Sequence, residues 1–235
     1  MSRVGGLDGC RHGWVLATVG IDENGSVVAD TAAVRVIPTF AEGVALVSAG
    51  ELAALGVDMP IGLPDAGRRE ADFAARRRLG PRASSVFPTP LRSVLTATDY
   101  QDALSRSRAV DGKGLSKQAF NLLPKMAEVD AAMTPALQDR IFECHPETAF
   151  VHLAGRPLTT TKHEAVGRAE RADLLATVLG DVSGLADAPP KGAKVDDVLD
   201  ALVVATVAAR LVGGDVERLG DGAVDARGLR MEIIT

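Results

Sequence analysis

Five acidic side chains stand at the boundaries of apolar runs. Asp8 closes Val4-Gly5-Gly6-Leu7, Asp58 closes Leu55-Gly56-Val57, and Glu143 closes Ile141-Phe142. Asp197 and Asp200 open a long apolar stretch that continues to Val212. An unpaired charge in low dielectric costs several kcal/mol. Carboxylates delivered separately to the ends of apolar elements are therefore most simply explained by a shared cation. Hard oxygen donors suit Mg²⁺ or Mn²⁺. Two such ions about 3.5–4 Å apart can activate a water and stabilise the leaving oxygen of a phosphodiester. The candidate catalytic carboxylates are Asp8, Asp58, Glu143 and Asp200, and the candidate metal ligands are these four with Asp197.

Each acid also has an ordinary use. Asp8-Gly9 reads as a turn after a strand, and Asp58 precedes Met59-Pro60, where extended backbone is favoured. Glu143 could face solvent from its strand. Asp196 and Asp197 could simply meet the positive end of a helix dipole. Asp197 and Asp200 are three apart and so share one helical face, with Asp196 and Asp200 a second such pair. An acid as far into the apolar run as Asp200 is not explained by the dipole.

The elements that must position these groups are legible as periodic segments. Val4 to Asp8, Trp14 to Ile21 and Ser26 to Ile37 read as strands, the first pair of turns including Asp22-Glu23-Asn24-Gly25, whose Asn-Gly favours positive φ. Pro38-Thr39 gives a stop and an N-cap, and Phe40 to Ala49 reads as a helix ended by Gly50. Leu52 to Asp58 is a fourth strand and Arg140 to Cys144 a fifth. His163 to Leu179 shows helical spacing, Asp181 to Lys194 reads as a loop, and Val195 to Val212 is apolar all round, the mark of a buried helix. Residues 66–138 differ in character: charged helical pieces broken by Gly80-Pro81, Pro88, Pro90, Gly112 and Gly114 read as a helical insertion or cap. The whole chain, 1–235, is expected to form one α/β domain, a mixed sheet flanked by helices with Val4–Asp8 at its centre, between the meander and Leu52–Asp58.

Arginines crowd the insertion. Arg76, Arg77 and Arg82, with Ser84, Ser85 and Lys117, are candidates for holding a phosphate backbone, because guanidinium forks match phosphate oxygens. A solvated helix face is the ordinary alternative. His145 follows Glu143 closely enough to reach the same site, as a substrate-binding group, a general acid or a structural side chain. Cys10 and Cys144 have no partner pattern for nucleophilic or metal chemistry and read as small core residues.

Composition limits the classes. A 235-residue chain that is 46% hydrophobic can bury a sizeable core, and its net charge of −5 excludes a generally basic nucleic-acid coat but not a local basic patch. Two cysteines cannot make a disulfide framework, so a reducing cytoplasmic setting is expected. No leader-like or membrane-spanning run is apparent, and no membrane partner is expected.

Gly6-Leu7-Asp8-Gly9 and Asp197-Val198-Leu199-Asp200, with the three-strand meander, resemble the RNase H-like superfamily; the second motif is similar to the terminal acidic pair of RuvC-type resolvases. More closely, the chain resembles an uncharacterised bacterial family of predicted nucleases with an RNase H-like fold. That likeness is carried by Gly56-Val57-Asp58-Met59-Pro60-Ile61-Gly62-Leu63-Pro64, Arg82-Ala83-Ser84-Ser85-Val86-Phe87, Glu128-Val129-Asp130, Glu143-Cys144-His145-Pro146-Glu147 and Asp196-Asp197-Val198-Leu199-Asp200-Ala201. The resemblance implies an RNase H-like sheet and a Mg²⁺- or Mn²⁺-dependent hydrolase of DNA or RNA. Two other classes stay open. One is nucleotide binding or phosphoryl transfer of the actin–sugar-kinase type, for which a homodimer would supply the second copy of the fold. The other is a non-catalytic nucleic-acid-binding module.

Overall fold

The computed structural model describes residues 1–235. Strands β1 (Ser2–Cys10) and β2 (Gly13–Ile21) form a long antiparallel hairpin, and β3 (Ala33–Ile37) pairs antiparallel to β2. Helix α1 (Phe40–Ser48) follows, with Thr39 at its N-cap accepting the Glu42 N–H as the Pro38-Thr39 signal leads one to expect. Strand β4 (Leu55–Val57) then runs parallel to β1, and β5 (Ile141–Glu143) runs parallel to β4. The sheet order is β3-β2-β1-β4-β5, so β1 is central. This is an α/β mixed sheet flanked by helices, with an order and strand directions consistent with an RNase H-like fold.

Between β4 and β5 lie α2 (Glu70–Leu79), α3 (Tyr100–Asp111) and α4 (Lys117–Ala132), joined by short 3₁₀ turns. Gly112 ends α3 in the left-handed region, where only glycine is unstrained. After β5 come α5 (Pro146–Ala154), α6 (Ala165–Leu179), α7 (Ser183–Asp187) and α8 (Val195–Gly213), then a small hairpin of β6 (Arg218–Leu219) and β7 (Ile233–Ile234). No helix is long and apolar enough to cross a membrane.

Strand parity divides the core. Leu7, Leu16, Leu55, Val57 and Ile141 pack on one face with residues of α1 and α4. Val4, Val15, Ala17, Phe142 and Cys144 pack on the other with α5, α6 and the apolar length of α8. Gly6 and Gly56 belong to the second face. A Cβ at Gly6 would collide with the backbone of Ala201 and Ala205, so the missing side chain is what lets α8 lie directly against β1. This close approach brings the first turns of α8 to the end of β1.

Several local readings change, among them the strand expected over Leu52 to Asp58, which shortens to Leu55–Val57. The strand expected over Ser26 to Ile37 shortens to Ala33–Ile37, since Val27 makes only an isolated bridge to Ile21 and Asp30 turns the chain at φ 60°. The expected loop over Asp181 to Lys194 contains the short helix α7. Helix α5 is unanticipated; Pro146 occupies its first turn, where the missing N–H costs nothing.

Candidate functional site

The parallel register sets two carboxylates side by side. Leu7 pairs with Val57, and Asp58 donates its N–H to the Leu7 carbonyl at 2.9 Å. Asp8 and Asp58 are each one residue beyond that pair, so both leave the sheet on the face that carries α8. Asp200, next to the Ala201 backbone that rests on Gly6, joins them from the helix. Asp200 is fully buried and Asp8 is 8% exposed.

Their proximity shows in their acidities. Burial raises the Asp8 carboxyl well above the ordinary range, and the charges of Asp58 and Asp200 raise it further. Burial lifts Asp58 from 3.8 to about 6, with Glu147 adding to the rise and Lys162 and a hydrogen bond to Asp8 opposing it. Burial also lifts Asp200 to about 6, against the opposing pull of Lys162. Asp197 lies further out, in the first turn of α8, where its Oδ2 accepts the Lys194 N–H at 2.9 Å as a cap.

Lys162, on the segment between α5 and α6, bonds Asp200 through its Nζ. Burial would lower the pKa of its ammonium, but Asp200, Asp8 and Asp58 together overcome this and raise it. Asp200 Oδ1, the other oxygen of that carboxylate, is buried without any hydrogen-bond partner.

These groups form the inner wall of a cavity of about 560 Å³ that Asp8, Asp58, Lys162 and Glu147 line directly. Asp200 is beneath it, behind Lys162. Arg82, Ser84, Ser85 and His145 also line the cavity. Glu147 is neutralised by Arg171, which is fully buried and reaches its two oxygens at 2.7 and 2.9 Å, and Arg82 approaches the same carboxylate at 3.6 Å. His145 places Nε2 3.4 Å from the Ser85 carbonyl oxygen, and its Nδ1 is buried without a partner. Nε2 facing a carbonyl carries the proton, which leaves Nδ1 as an open acceptor. Burial lowers the pKa of the histidine, which favours the neutral ring.

Other sequence candidates are placed differently. Glu143 is in register with Val57 and Leu7 and therefore leaves the sheet on the opposite face from Asp8 and Asp58. Arg69 engages its two oxygens, each at 2.7 Å, and the Ile61 N–H adds a bond at 2.8 Å. It borders the cavity, but its carboxylate is held in a buried ion pair with Arg69 and is not brought together with Asp8 and Asp58. Arg76 donates to the Val86 carbonyl at 2.6 Å and Arg77 pairs with Glu70 at 2.6 Å. Lys117 covers the rings of Tyr100 and Phe120 at 4.5 and 4.8 Å. None of these three lines the cavity, whereas Arg82, Ser84, Ser85 and His145 do. Lys162 and Arg171 were not anticipated, since a lone lysine or arginine has no spacing signature. Glu147 stands in the motif that begins at Glu143.

The donor set suits a hard divalent cation: Asp8 and Asp58 offer carboxylate oxygens to the cavity, and Asp200 Oδ1 lacks any donor. A Mg²⁺-type site commonly takes one or two carboxylates and completes its shell with water and substrate phosphate. As arranged, no three His, Cys, Asp or Glu side chains converge in metal-ligating geometry, and the Lys162 ammonium is the positive charge among the acids.

A family model described as a protein of unknown function, DUF429, matches residues 6–224. No curated protein and no solved structure matches the chain.

Proposed function

The chain belongs to the DUF429 family, and we propose that it is a divalent-metal-dependent hydrolase of phosphodiester bonds in nucleic acid, with Asp8 and Asp58 as the cation's ligands. The observation that carries this reading is the pairing of Asp8 and Asp58, from the ends of β1 and β4, on the wall of one cavity, with Asp200 of α8 buried behind them. Maintaining such mutual repulsion in a buried place is costly unless a cation relieves it. A bound Mg²⁺ or Mn²⁺ would supply Lewis acidity toward water and phosphoryl oxygen.

The remaining residues have roles set by their positions. Asp200 sets the charge behind the two ligands and anchors Lys162. Asp197 caps α8 and adds negative potential near Asp8. Arg82, with Ser84 and Ser85, presents donors to phosphate oxygens from the cavity lining near Glu147. His145 offers Nδ1 as a neutral proton acceptor there. Glu143 and Arg69 fix the turn after β4 by which Asp58 is held.

The test is hydrolysis of single- and double-stranded DNA and RNA with Mg²⁺ or Mn²⁺ by wild type and Asp8→Asn. The expected result is metal-dependent cleavage by wild type and a loss of at least about a hundredfold in the folded variant. Equal cleavage by the variant, or none by wild type on any substrate, would contradict the assignment.

A further inference from the structure

We propose that the Lys162 ammonium takes the place of a second divalent ion, so that the site works with one metal ion and one tethered cation. The inference rests on the proposed metal-dependent hydrolysis and specifies its cation requirement.

Charge supports it first. Asp8, Asp58 and Asp200 carry three negative charges when ionised; Glu147 is matched by Arg171, Glu143 and Asp72 share Arg69, and partly buried Asp197 adds negative potential at Asp8. Lys162 offsets one of the three through its bond to Asp200. What remains on these three acids equals the charge of one divalent ion. A second ion would overcompensate them and would have to displace Lys162 from Asp200.

Position supports it equally. Lys162 lines the cavity together with Asp8 and Asp58, while Asp200 is shut beneath it. The lysine's segment is clamped rather than free. Arg168 donates to the His163 carbonyl at 2.8 Å, Arg171 reaches the Thr160 carbonyl at 3.4 Å, and the Thr160 hydroxyl bonds Glu170. Gly167 has no Cβ because one there would collide with the Thr161 carbonyl, so α6 holds this segment at backbone contact. Four residues within one helix turn and a half thus fix where the ammonium stands.

In the reaction, a water oxygen forms a new bond to phosphorus while the ester P–O bond breaks, its electron pair leaving on the ester oxygen. The proton released by the water and the proton taken up by the leaving oxygen balance, so one water is consumed and a phosphomonoester and an alcohol are produced. Lys162 stays an ammonium throughout and donates a hydrogen bond to the phosphoryl group. It would thereby meet charge that a second ion meets in two-ion sites.

Calorimetric titration with Mn²⁺ distinguishes the cases, using wild type, Lys162→Arg, and the neutral variants Lys162→Met and Lys162→Ala, each checked for folding by circular dichroism. The expected stoichiometry is one ion per chain for wild type and Lys162→Arg, and two for a neutral variant that folds. Two ions in wild type, or one ion at unchanged affinity in a folded neutral variant, would overturn the inference and leave the proposed hydrolase intact. Absence of Mn²⁺ binding in every protein would overturn both. Expected stoichiometries without cleavage of any nucleic acid would uphold the cation arrangement and remove the hydrolase assignment.

Discussion

Asp8 and Asp58 stand side by side at the ends of adjacent parallel strands, one residue beyond the Leu7–Val57 pair and tied by the Asp58 N–H to the Leu7 carbonyl. No long-range coincidence is needed to bring them together. Two apolar strands in parallel register, each followed at once by an aspartate, create the pair. The consequences for stability, binding and chemistry can be measured separately.

Without metal, stability should fall as pH rises from about 4 to 7. Asp58 and Asp200 each rise from 3.8 to about 6 in the folded chain, chiefly by burial. A carboxyl with a raised folded-state value binds protons more readily when folded, so its contribution is present at low pH and is lost through about pH 6. For fully buried Asp200 the rise corresponds to about 3 kcal/mol. Urea unfolding in chelator between pH 5 and 7 should show the decline, and Asp58→Asn should flatten it. A variant with the same slope as wild type would show that Asp58 titrates normally.

Glu143→Gln should destabilise the fold by about 1–3 kcal/mol, because it weakens two charge-assisted bonds of buried Arg69 and leaves Asp72 as that arginine's remaining ionic partner. The Mn²⁺-dependent rise in melting temperature should nevertheless persist, since ligand binding stabilises whatever remains folded. Thermal unfolding with and without Mn²⁺ reads both effects. Selective loss of the Mn²⁺ effect would return Glu143 to the metal site.

Strand parity explains why Glu143 misleads in the sequence. An acid at the end of an apolar run looks like Asp8 and Asp58, but strand side chains alternate, and Glu143 pairs with Val57 rather than with the next residue. The sequence supplies the strands and not their register. The sheet, its central strand and the buried C-terminal helix were legible because Val4–Leu7, Leu55–Val57 and Ala201–Ala209 are strongly apolar and bounded by turn residues. Asp200 was legible as a misplaced charge in such a helix. Lys162 was not, because its role depends on where α6 clamps Thr160 to His163, and no local pattern encodes that contact.

Among the arginines, Arg82→Ala should weaken nucleic-acid binding and reduce the salt slope by about one, as loss of one phosphate contact would. Arg77→Ala should change neither, because Arg77 is exposed, pairs with Glu70 and does not line the cavity. Binding measured over a range of salt with Ca²⁺ in place of Mg²⁺ separates the two. Equal effects from both substitutions would relocate the nucleic-acid path to the outer face of α2.

The most direct measurement is anomalous diffraction from crystals of the protein soaked in Mn²⁺. The account predicts a peak in ligating contact with the carboxylates of Asp8 and Asp58, with Lys162 still bonded to Asp200. Mn²⁺ bound elsewhere at saturating concentration, with no peak at these two carboxylates, would contradict it.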